Sequence, residues 1–81
     1  MQFSNETYNG WSNRETWLVN LWLTNDEATY NETRGMNGMK LNDYVDELLE
    51  SSSIDGFFAD LINAALSRVH WNEISESMAE A

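Results

Sequence analysis

Asp43, Asp46, Glu47 and Glu50 fall at steps of three, one and three residues, a spacing that gathers four carboxylates on one side of an α-helix. Such a row offers electrostatic chemistry. From Asp43 to Glu50 a helix rises about 10.5 Å, or about 3.5 Å per interval between carboxylates, against about 3.4 Å of axis per phosphate along one DNA strand. The two linear charge densities nearly match. Lys40 is the only basic residue close in sequence, so the row lacks the i,i+4 cations that would make it a device for helix stability. Asp55, Asp60, Glu73 and Glu76 are expected to extend it on folding. The plainer role for the same residues is a solvated face that keeps the protein in solution.

Other chemistries have fewer parts to work with. The single His70 adjoins Trp71 near the end of the most strongly periodic segment, where a helix C-terminus favours a cation, and it is read as structural because no orienting partner or nucleophile accompanies it. A metal-assisted enzyme built on carboxylates and His70 is the weakest reading. No cysteine is present, which removes thiolate zinc sites, disulfides and cysteine nucleophiles. No Gly-rich phosphate loop, paired histidines or calcium-loop spacing occurs, so no catalytic residue, cofactor or metal is expected. Asn5-Glu6-Thr7 and Asn31-Glu32-Thr33 match the glycosylation pattern, which has meaning only in a secreted chain.

Fourteen Asp and Glu against four Lys and Arg leave a formal net charge of -10 on 81 residues. A body this acidic repels phosphate backbones and anionic lipid, so neither nucleic acid nor membrane is an expected direct partner. The partner should be basic or apolar. With 42% hydrophobic residues the chain is too rich in apolar side chains to stay disordered, and it is read as one domain, residues 1–81, with 1–11 irregular. A core of this size supplies only roughly 3 to 5 kcal/mol, which leaves room for a homodimer or a partner to add stability. The first eight residues lack a signal-peptide pattern and no stretch reaches the roughly 18 apolar residues of a membrane span, which predicts a soluble cytoplasmic protein.

The elements that must position these groups read as helices, because no segment alternates polar and apolar residues for long. Asn9-Gly10 marks a turn. Ser12 with Glu15 three residues later predicts a capping box, and Trp17, Leu18, Leu21 and Trp22 form the expected core stripe of the first helix, widened by Val19 and Leu23. Thr24 with Glu27 repeats the capping spacing, so this helix either restarts there or continues toward Thr33, before Gly35 stops it. Residues 35–38 form a loop, Leu41, Tyr44, Val45, Leu48 and Leu49 mark the next helix, and residues 51–53 break it. Ser53 or Asp55 can cap a helix whose Phe57, Phe58, Leu61, Ile62, Ala65, Leu66 and Val69 give the clearest period in the chain. Asn72 caps a last short helix buried through Trp71, Ile74 and Met78. The expected fold is all-α, a small bundle of four helices with room for a fifth.

The run from Gly10 to Glu27, and within it Asn13-Arg14-Glu15-Thr16-Trp17, resembles a family of short proteins encoded by phages, plasmids and some archaea, over about residues 10–30. Within that run Arg14 is expected either to pair with a carboxylate of a neighbouring helix or to stand exposed as a contact residue. The resemblance implies a mobile-element setting, in which small acidic helical proteins often block host defence. Joined to the acidic row, it leads to the expectation of an inhibitor of a host CRISPR effector or restriction enzyme. Asp43, Asp46, Glu47 and Glu50 would imitate DNA before a basic nucleic-acid-binding surface. The rival expectation is a helical interaction module, a phage regulator or adaptor, that docks through an apolar groove or through Phe3, Tyr8 and Trp11. Salt dependence separates the two.

Overall fold

A computed structural model describes residues 7–80 as five α-helices with no strand among them: α1 (Arg14–Asn25), α2 (Glu27–Thr33), α3 (Gly38–Ser51), α4 (Gly56–Leu66) and α5 (Trp71–Glu80). The fold is all-α. Asn9 and Gly10, at φ of 51° and 87°, form a tight turn closed by reciprocal Tyr8 and Trp11 backbone hydrogen bonds of 2.8 Å. Both central residues in the left-handed region is the geometry an Asn-Gly pair favours.

Three helices begin on an Asn or Asp side chain. Asn13 caps α1 by accepting from the Thr16 N–H at 2.8 Å, Asp26 caps α2 by accepting from Thr29, and Asn37 caps α3 by accepting from Lys40. The expected Ser12–Glu15 capping box does not form. The Ser12 N–H donates to the Glu73 carboxylate at 3.2 Å instead, and Glu15 turns outward to the Arg68 guanidinium at 3.2 Å. The Thr24–Glu27 pattern is likewise displaced by Asp26, whose extended backbone ends α1 and starts α2. In both places a short carboxamide or carboxylate, one residue beyond Ser12 and two beyond Thr24, takes the N3 amide in place of the expected hydroxyl.

Asn13 does more than cap. Its Oδ1 also accepts from the Thr16 hydroxyl at 2.7 Å while its Nδ2 donates to the Arg68 carbonyl at 2.8 Å, and the Thr16 hydroxyl accepts from the His70 N–H at 2.9 Å. Asn13 and Thr16 are buried. The start of α1 is thereby tied to the α4–α5 connection more than fifty residues away. His70 thus lies just before α5, not at a helix C-terminus, because α4 ends at Leu66.

The core is small: Leu23, Leu41, Val69, Ile74 and Met78, with Trp11, Val19, Tyr30, Met36, Tyr44, Leu66 and Trp71 packed around them. Helix α5 is its centre, packing against both α3 and α1, while α2 folds back on α1. At the α3–α5 crossing Gly38 lies so close that a Cβ there would meet the Asn72 side chain and stand 3.0 Å from its backbone nitrogen. The result is a flattened body of 37 × 34 × 20 Å.

Two expected faces are turned around. Helix α1 faces the core with Thr16, Val19 and Leu23, so Leu18 and Leu21 are about two-fifths exposed and Trp22 is 68% exposed. The Thr16 clamp sets the rotation of the helix, and Trp22 lies on the outer side of that rotation. Helix α4 buries none of its residues. Only Ala59, Ile62 and Leu66 are half-covered, and Phe57 and Phe58 stand 69% and 66% exposed.

Three outcomes follow from this packing. Asn13→Asp keeps the cap acceptor but removes the donor to Arg68, so it should lower the urea unfolding free energy by about 1 to 3 kcal/mol although Asp caps as well as Asn. Gly38→Ala should destabilise by about 1 to 3 kcal/mol in the same assay despite the better helix propensity of alanine, whereas Gly35→Ala, which meets nothing within 4 Å, should not. The Thr29 backbone N–H, aided by its hydroxyl, holds the Asp26 carboxyl below its ordinary value of 3.8. Because the folded form is the more acidic, the stability this group contributes is complete above the unfolded value and is lost as pH falls through the folded one. An NMR titration should therefore place the Asp26 midpoint below that of an unstructured aspartate, and Thr29→Val should move it upward.

Candidate functional site

Helix α3 is an amphipathic rod laid on α5. Leu41 is fully buried against the core, and Tyr44, Val45 and Leu49 are partly covered on the same side. At about 100° per residue Asp43, Asp46, Glu47 and Glu50 occupy an arc of about 100° that is centred away from Leu41. All four are exposed. Among the described residues the one ion pair is Arg68 with Glu15, so no cation neutralises this face. The structure thus brings the four carboxylates together as a bare acidic ridge, with Lys40 at its edge.

The additional carboxylates divide. Glu73 is drawn to the Ser12 N–H, and with Glu76 and Glu80 it lines a separate cleft of about 230 Å³ beside Gly10 and Trp11. This second acidic strip belongs to α5 and does not prolong the ridge. Asp55 stands at the start of α4 without a side-chain capping bond, and Asp60 is exposed on the same helix. Among the described residues no group of three or more His, Asp or Glu is arranged to hold a metal ion.

The cationic and aromatic candidates are mostly absorbed by the fold. Arg14 pairs with no carboxylate among the described residues; its exposed guanidinium lies 5.6 Å from the centre of the Tyr8 ring, and Arg68 makes an ion pair instead. Tyr8 stacks edge-on against Trp17 with centroids 4.8 Å apart, and Trp11 packs on the core, so neither offers the docking surface expected of it. Phe3 lies outside the described residues. The exposed apolar groups are others: Leu18, Leu21 and Trp22 on α1, Phe57, Phe58 and Leu61 on α4, and singly Met39, Ile54 and Leu48, the last expected on the buried stripe of α3. Helical periodicity could mark these stripes as apolar but could not show that nothing covers them.

A cleft of about 260 Å³ between α1, α2 and α5 is lined by Asn20, Thr24, Tyr30, Ser77 and Met78. The Asn20 Oδ1 is buried there without a hydrogen-bond partner among the described residues. Burial and the Glu32 carboxylate 3.4 Å away push the Tyr44 phenol up. No helix among the described residues is long and apolar enough to cross a membrane.

Each residue of the Asn13–Trp17 run is therefore occupied structurally: Asn13 and Thr16 in the clamp, Arg14 and Trp17 against Tyr8, and Glu15 against Arg68. No curated protein and no solved structure matches the chain. A family model described as a family of unknown function, DUF7249, matches residues 4–81, and the chain belongs to that family.

Proposed function

We propose that this protein is an inhibitor that presents Asp43, Asp46, Glu47 and Glu50 to the basic nucleic-acid-binding surface of a host defence protein and holds that surface against DNA. The observation that carries the reading is the exposed, unneutralised ridge on α3. Its charges recur at nearly the phosphate interval, so cations spaced to grip a DNA strand meet a similar row of oxygens. Long-range attraction steers the encounter, and release of counter-ions from the partner's Lys and Arg contributes to affinity as it does for DNA. The setting we propose is a phage or plasmid acting on its host, a CRISPR effector or restriction enzyme being the kind of target. No catalysis is part of this reading.

A second reading is an interaction module that docks through apolar surface, and the 68% exposure of Trp22 beside Leu18 and Leu21 favours it. Interface hot spots are rich in tryptophan. Ionic strength separates the two, since a charge-driven complex weakens steeply with salt and an apolar one changes little.

Immobilised protein should retain a nucleic-acid-binding protein from host lysate and release it when duplex DNA is added. Asp43→Lys with Glu47→Lys should abolish that retention while the thermal midpoint moves by no more than about 5 °C, since both residues are exposed. Retention that survives the reversal, or that DNA cannot compete away, would dispose of the mimic reading.

A further inference from the structure

Helix α4 is the most apolar helix of the molecule and yet buries no residue. Its half-covered side is Ala59, Ile62 and Leu66; its free side carries Phe57, Phe58 and Leu61, exposed by 69%, 66% and 52%. At about 100° per residue these three occupy an arc of about 100°. The Phe57 and Phe58 rings touch edge to face with centroids 5.4 Å apart, which makes a single aromatic patch. Together the three side chains expose on the order of 350 Å² of apolar surface, within the range of the largest patch on a typical monomer and often functional at that size.

The surroundings of the patch say what covers it. Helices α3 and α4 with their connection carry six carboxylates, Asp43, Asp46, Glu47, Glu50, Asp55 and Asp60, against one cation, Lys40 in the first turn of α3. Asp60 lies about 60° round the helix from Phe57. Asp55 immediately precedes the first turn, while Asp46 of α3 meets the other, half-covered side of α4 in a cleft of about 300 Å³ shared with Asn63 and Leu66. A second copy docked here would set acid against acid, and the patch falls well short of the roughly 800 Å² per partner of a standard interface. A cationic partner replaces that repulsion with attraction, which adds to what a patch of this size supplies.

We propose that α4 is a docking platform for a cationic amphipathic helix, whose apolar stripe seats on Phe57, Phe58 and Leu61 while its flanking Lys or Arg face Asp55 and Asp60, with the carboxylates of α3 adding long-range attraction. The mode is a helix laid along an apolar surface with a charged rim. It extends the proposed function and shares with it only the basic character of the partner: the ridge supplies attraction, and the α4 patch selects for apolar residues set among the cations.

The probe is a synthetic peptide of about 18 residues of Leu and Lys with all leucines on one helical face, compared with a scrambled peptide of the same composition that has no such face. The protein should bind the amphipathic peptide at least about tenfold more tightly than the scrambled one. Phe57→Gln with Leu61→Gln should erase that preference and leave weak, salt-sensitive binding of both peptides; each single change should reduce it, and glutamine keeps α4 helical. Asp43→Lys with Glu47→Lys should weaken both peptides by a similar factor and leave the preference in place. Equal binding of the two peptides, or a preference untouched by the α4 changes, would overturn the proposal. So would sedimentation of the protein as a dimer that the α4 changes split, because a second copy would then be the occupant. A peptide preference with no competition against DNA defeats the mimic reading alone, and DNA competition without a peptide preference defeats only this one.

Discussion

The fold hangs on one buried carboxamide. Asn13 closes the N-terminus of α1 with its oxygen and holds the Arg68 carbonyl with its nitrogen, while the neighbouring Thr16 hydroxyl takes the His70 N–H. These are the contacts that fix where α5 starts relative to α1. Since α5 contributes Ile74 and Met78 to a core of five buried apolar residues, placing its first turn places most of the core. A polar clamp carries unusual weight in so small a protein, because removing either partner leaves a buried donor or acceptor unsatisfied at about 1 to 3 kcal/mol, against a total of roughly 3 to 5.

The clamp also explains which face α1 shows to solvent. With Thr16 directed inward, Val19 and Leu23 follow it at helical spacing and Trp22 is carried outside. Residue size misleads here: a sequence stripe weighted by tryptophan and leucine points to the wrong side, because the face that α1 turns inward carries Thr16, Val19 and Leu23. The helical class, the breaks near residues 35 and 52 and the α3 core side were legible, since they rest on local periodicity and on Asn, Ser and Gly chemistry. Asn13 as cap was not, because choosing it over Ser12 requires knowing that Arg68 and Glu73 arrive from more than fifty residues away.

The acidic ridge was legible for the opposite reason. Four exposed carboxylates on one helix face need only the helix to exist, so spacing alone suffices to gather them. Whether α5 would extend that ridge depended on tertiary placement, and Glu73 was instead committed to the Ser12 amide. The bareness of α4 was beyond periodicity altogether, since an apolar stripe reads the same whether a neighbour covers it or a partner does. A division of labour results. The Asn13–Trp17 run, with α5, builds the scaffold, while α3 carries exposed charge and α4 exposed aromatic surface that the scaffold does not use.

The most direct measurement of the clamp is native-state hydrogen exchange at the His70 amide, which donates to a hydroxyl outside any regular helix. If Thr16 and Asn13 hold the two ends of the chain together, this amide exchanges only through global unfolding, at the rate of the slowest core amides of α5, and Thr16→Val releases it. Exchange near the rate of an unprotected loop amide in the unmodified protein would contradict the account.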